Sequence, residues 1–127
     1  MQKSMTLPGR GELRPTKVSE ERALILAYGR HYSIKRWEQR TEDQQNRITA
    51  ALTAFRGWRI KMGESFQQED PWAMPPPNAA TLRLYLTHLS VSSVCWRDNS
   101  VAALRLYFLH TQDPALFRMV KKVKHVA

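Results

Sequence analysis

The feature that most constrains this chain is a helix start signal at residues 41–44. Thr41-Glu42-Asp43-Gln44 has the form of a capping box, in which a Thr hydroxyl and a Gln side chain satisfy each other's backbone N–H groups. Behind it, Ile48, Leu52, Phe55, Arg59 and Met62 recur at steps of four, three, four and three. That spacing lays them along one face of an α-helix, with Ala51 and Trp58 beside them. Gly63 stands where a helix exit needs a left-handed residue. An amphipathic helix of this kind is stable only when other elements cover its stripe.

The remaining chain supplies further helices. Ser19 caps a first one running to about Gln39, with Leu24, Tyr28 and Tyr32 as its stripe, Ile25 alongside and Gly29 as a weak point. Asn78 caps another over 79–89, with Leu82, Tyr85, Leu86 and Leu89 inward. Asn99 or Ser100 caps the next, to about Thr111, with Val101, Leu104 and Phe108 inward. Asp113-Pro114 sets a cap and a first-turn proline for a last helix to about Val123, carrying Leu116, Met119 and Val120. The long connection from Gly63 to Asn78 is stiffened by Pro75, Pro76 and Pro77, and Trp72 and Met74 pin it to the core. No strand alternation interrupts the pattern. The reading is an all-α fold, a compact bundle of four to five helices. Residues 1–18 form a flexible basic arm broken by Pro8, Gly9, Gly11 and Pro15, residues 19–40 an N-terminal helix, and residues 41–127 a helical domain with a basic tail.

A chain of 127 residues makes one domain. One cysteine excludes an internal disulfide, and Cys95, next to Trp96, reads as a buried structural thiol. The longest apolar stretch, Ala23 to Tyr28, is far short of a membrane span, and no signal peptide opens the chain. The expected location is therefore the cytoplasm at the nucleoid, or the nucleus of a eukaryotic cell. His31, His88, His110 and His125 show no metal-ligand spacing, and no phosphate loop or nucleophile elbow is present. The expectation is a protein without enzymatic activity, cofactor or metal.

Charge points toward a partner. The formal net charge is +9, and the excess sits at the two ends of the chain: residues 1–40 and 81–127 are basic, while residues 41–80 are nearly balanced. Clustered bases suit a polyanion, since each neutralised phosphate releases condensed counterions. Arg97 and Ser100 fall at the expected start of the fourth helix, where backbone N–H groups favour phosphate. Arg105 follows on the same helix, Arg56 is exposed by the pattern of the second, and Arg118, Lys121, Lys122 and Lys124 form the densest basic run. These eight are the candidate DNA contacts, with Arg56 and Arg105 facing a groove. Arg59 falls within the buried stripe and snorkels its charge outward.

The order of these elements resembles the core-binding domain of tyrosine recombinases, also called phage integrases. The resemblance runs from about Thr41 to Lys124. It rests on Phe55-x-x-Trp58, the proline gap Met74-Pro75-Pro76-Pro77, the Tyr85-Leu86-Thr87-His88-Leu89 helix end, Asn99-Ser100-Val101-Ala102-Ala103-Leu104-Arg105, and then Asp113-Pro114 and Lys121-Lys122-Val123-Lys124. It implies a SAM-like helical bundle that holds double-stranded DNA as one half of a clamp. That family's chemistry resides in a separate catalytic domain, so the resemblance implies a DNA-binding module for integration or recombination. Its partners would be duplex DNA, and beyond that a separate catalytic recombinase domain or further copies of itself. The rival expectation is a helical protein-interaction module, with Trp37, Trp72 and Trp96 as anchors and the charge incidental. Single-stranded RNA ranks last, for want of a stacking platform.

Overall fold

The structure is a computed structural model that describes residues 17–121, with only the backbone of Lys121. Five α-helices follow one another: α1 Lys17–Glu38, α2 Glu42–Lys61, α3 Ala79–Ser90, α4 Val94–His110 and α5 Pro114–Lys121. A single 3-10 turn, Pro71–Ala73, lies between α2 and α3, and no strand occurs among the described residues. The fold is all-α, as expected. Residues 1–16 of the expected arm and residues 122–127 of the expected tail lie outside the described residues.

Most helix starts lie where the capping chemistry places them. Gln44 N donates to Thr41 Oγ1 at 3.2 Å, and Thr41 N to Gln44 Oε1 at 3.0 Å, closing the capping box of α2. Thr81 N donates to Asn78 Oδ1 at 2.8 Å for α3, and Leu116 N to Asp113 Oδ1 at 3.0 Å for α5. Two starts differ. α1 is already helical at Lys17, ahead of Ser19. α4 begins at Val94, well before the expected Asn99 or Ser100, because Ser93 takes the cap: Trp96 N donates to its Oγ at 3.4 Å.

α4 is the central helix. Ala103, Leu104, Leu106, Tyr107, Phe108 and Leu109 are all buried, covering every side of its second half. A helix apolar all round belongs in the middle of a bundle, and the other four helices pack against this one. Against it α2 buries Ile48, Ala51, Leu52, Phe55 and Arg59, whereas Met62, expected on this stripe, is exposed beyond the helix end. Aromatic residues of α2 and α3 meet in space. The Tyr85 ring lies 4.6 Å from Phe55 and 4.9 Å from Trp58 between centroids. The Tyr107 hydroxyl donates to the Met74 carbonyl and so pins the proline-rich connection, and burial pushes this phenol up to about 12. Trp72 sits edge-on between Trp37, at 5.5 Å, and His110, at 5.4 Å. The connection is thus held to the core through Trp72 and Met74, as expected.

α1 docks through a different face from the expected one. Its buried residues are Ile25, Gly29 and Ser33, while Leu24 and Tyr28 are 47% and 55% exposed. The reason is the closeness of two backbones. A Cβ built on Gly29 would lie 2.5 Å from the Leu109 carbonyl oxygen, so only glycine permits the approach. Polar contacts then fasten the helix. Ser33 Oγ donates to Leu106 O at 3.0 Å, and Arg30 Nε to His110 O at 3.3 Å. Beyond α4, Gln112 adopts a positive φ of 56° while Asp113 N returns to Phe108 O and Gln112 N to Leu109 O, the pattern of a Schellman reversal. From there the Gln112 amide donates to Leu26 O at 3.2 Å and accepts from Arg30 N at 3.4 Å.

Candidate nucleic-acid interface

The eight candidate contacts do not form one surface. Ser100 is 1% exposed, inside α4 rather than at its start, and a phosphate cannot reach it without displacing the core. The early start of α4 is the cause, since it moves Ser100 from a cap into the second turn. Arg97 shifts with it: its side chain is 13% exposed and pairs with Asp98 at 3.3 Å. Arg56 is half-buried, lying 5.6 Å from the Phe66 ring centroid and donating to Gln68 O at 2.9 Å. It braces the connection rather than projecting from the pattern's exposed face.

Of the remaining candidates, Arg105, Arg118 and the backbone of Lys121 lie on α4 and α5, which pack together. Arg105 of α4 places its guanidinium carbon 5.6 Å from the Phe117 ring centroid. Lys121 lies one helical turn beyond Phe117 on α5. Arg118, beside Phe117 in sequence, pairs with Glu21 of α1 at 3.3 Å and remains partly exposed. Arg105 and α5 therefore share an edge of the bundle. Lys122 and Lys124 follow directly in sequence but lie outside the described residues.

Arg59 does not snorkel. It is 1% exposed and enclosed by its own partners. The α2 exit explains how. Gly63, at a φ of 104°, lets Gly63 N reach Ile60 O and Glu64 N reach Arg59 O, a second Schellman reversal. The reversal carries the Glu64 carboxylate back over Arg59, where Nε and Nη2 donate to its two oxygens at 2.8 and 2.7 Å. Nη1 donates to Pro75 O at 2.7 Å, and the Phe66 ring covers the guanidinium at 4.7 Å. These hydrogen bonds hold the Glu64 carboxyl below its ordinary value of 4.5, against the opposing effect of burial. The group is a structural clamp on the proline-rich connection, and its charge is unavailable to a ligand.

Other bases are exposed without an ion pair among the described residues: Lys17, Arg22, Lys35 and Arg36 on α1, Lys61 on α2, and Arg83 on α3. No basic run or helix start marks them out in the sequence: Lys35 and Arg36 are one adjacent pair, and the others stand singly. Cys95 is exposed, contrary to the expectation of burial, because the early start of α4 puts it in the first turn. Trp37, Trp72 and Trp96 are half-buried against the core rather than free anchors. Trp58, Tyr85, His88, Trp96 and Lys61 line an open cleft of about 440 Å³. Trp58 and Tyr85 are engaged there with each other and with Phe55, whereas a stacked base needs a free ring face. Among the described residues no group of three His, Cys, Asp or Glu could hold a metal ion, and no helix is long and apolar enough to cross a membrane.

Comparison with family models, curated proteins and solved structures finds no match for this chain.

Proposed function

We propose that this protein is a double-stranded DNA-binding module of the recombinase core-binding type, with the α5 edge as its phosphate-contacting surface. The observation that carries the reading is that Arg105 lies against Phe117 of α5, the helix that bears Arg118 and ends at Lys121, with Lys122 and Lys124 following in sequence. A net charge of +9 supports it, because an excess of bases draws the protein to a polyanion and holds it there. An all-helical bundle is also what the resemblance implies. In this reading Arg97, Ser100 and Arg56 are structural. Arg105, Arg118, Lys121, Lys122 and Lys124 make backbone contacts, which position a duplex without reading its sequence.

Fluorescence anisotropy with a labelled duplex tests this over a series of salt concentrations. The expected log–log slope is about −0.9 for each phosphate neutralised. Replacing Lys121 and Lys122 together by Glu should lower affinity by about tenfold or more at moderate salt. Lys61→Glu, on α2 and away from this edge, should change it little. A salt-independent affinity, or a double variant that binds as well as the parent, would overturn the proposal.

A further inference from the structure

Two of the four tryptophans meet in one cleft. Trp37 of α1 and Trp72 of the 3-10 turn stand nearly at right angles, 80° between their planes and 5.5 Å between centroids. With Ser33, Ile34 and Glu38 of α1 and His110 of α4, they line an open cleft of about 360 Å³. That is within the size range of small-ligand sites. Both indoles are only partly buried against the core, so ring surface is left to line the cleft. An edge-on contact takes up the rim of one indole and leaves its faces, which stacking would cover.

The charge of the lining decides what the cleft takes. The protein carries +9 overall, yet the one formally charged residue of this lining is an acid, Glu38. It is exposed and has no ion pair among the described residues. His110 is mostly neutral at pH 7. Burial, with the Arg30 charge nearby, holds it below its ordinary value of 6.5, against the opposite effect of Asp70. Arg30 donates its Nε to the His110 carbonyl, and neither it nor Lys35 or Arg36 lines the cleft. Indole faces carry negative potential and attract a cation within about 6 Å of the ring centre. An ammonium with N–H groups needs acceptors to replace its water, and Glu38 is the one carboxylate in the lining. A fully methylated ammonium has no such need, since its charge is spread over methyl groups that suit apolar rings. We propose that the Trp37–Trp72 cleft binds a quaternary ammonium group, with the indoles against its methyls and the Glu38 carboxylate facing its charge. The proposal goes beyond the DNA-binding reading and does not rest on it.

Heteronuclear NMR of the whole chain tests it, with choline as the probe at constant ionic strength. Saturable shifts of the Trp37 and Trp72 indole N–H signals are expected. The dissociation constant should be on the order of a millimolar, as a few cation–π contacts and one exposed carboxylate provide. The Trp58 and Trp96 indoles should stay where they are. The neutral carbon analogue of choline, with tert-butyl in place of trimethylammonium, should bind at least about fivefold more weakly, because it keeps the shape and loses the charge. Glu38→Gln, a change at an exposed side chain, should weaken choline by about threefold. A short peptide carrying trimethyl-lysine, run beside choline, separates the two sources of such a group: tighter binding of the peptide assigns the cleft to a modified side chain, tighter binding of choline to a free ion. Absence of saturable shifts at Trp37 and Trp72 with both probes, equal binding of the neutral analogue, or unchanged choline binding by Glu38→Gln would each overturn the proposal.

Discussion

Replacing Gly29 with Ala is expected to destabilise the protein by about 2–3 kcal/mol, although Ala is the better helix former by about 1 kcal/mol. The added methyl would stand 2.5 Å from the Leu109 carbonyl oxygen, with Gln112 Cγ at 3.2 Å and Ile25 Cγ2 at 3.3 Å. Neither backbone can yield without pulling α1 off the end of α4 and loosening the contacts of Ser33, Arg30 and Gln112. Gly57→Ala is the matched control. Gly57 is also inside a helix, but a Cβ there meets nothing within 4 Å. It should therefore stabilise by about 0.5–1 kcal/mol through helix propensity and a less flexible unfolded chain. Urea denaturation of the pair measures both values. Two substitutions of the same kind with opposite signs would establish the close approach of α1 to α4, and a stabilising Gly29→Ala would refute it.

The second large effect is an asymmetry within the Arg59–Glu64 pair. Glu64→Ala should cost about 2–3 kcal/mol, because it leaves a guanidinium at 1% exposure without its carboxylate. The figure sits at or below the lower end for a broken buried pair, since Arg59 keeps Pro75 O and the Phe66 ring. Arg59→Met should cost less, about 1 kcal/mol, because Met fills an apolar site and Glu64, already partly exposed, returns to water. The pH dependence follows from the lowered carboxyl of Glu64. A depressed folded pKa stabilises above the unfolded value, near 4.5, and that contribution is lost as pH falls below it toward the folded value. Denaturation midpoints of the parent should accordingly fall in this acid range more steeply than those of Glu64→Gln. If Glu64→Ala proved harmless, the bidentate clamp would not be what holds the proline-rich connection.

Much of the fold was legible because its signals are local. The Thr41 box, the Asn78 cap, the Asp113-Pro114 start and the Gly63 exit each depend on a few neighbouring residues, and all four are in place. α1 was misread because its docking face is small. Leu24 and Tyr28 are the larger apolar residues, but what decides the face is the distance between two backbones, which Gly29 and Ser33 permit and bulk does not. Nothing local to α1 reports that distance. The start of α4 was misplaced because Ser93, Asn99 and Ser100 are all competent caps, and tertiary burial of Ser100 chose among them. The candidate site moves with it, since Arg97 and Ser100 would meet a phosphate only at a helix start, and α4 starts at Val94. Arg59 lay correctly within the stripe, but its partner is set by a chain reversal five residues on, which a periodic pattern does not contain.

The polar fastening of α1 has a consequence for how the molecule opens. Ile25 is the one large apolar side chain of α1 that is buried outright; Tyr32 and Trp37 are only partly buried against the core, and hydrogen bonds near the end of α4 and the Glu21–Arg118 pair supply the rest of the grip. Such a segment can detach at a free-energy cost below that of melting the whole protein. Native-state amide exchange should then show α1 losing protection as one unit, while α4 exchanges only on global unfolding. The N-terminal helix would behave as a latch that lifts without dissolving the body beneath it.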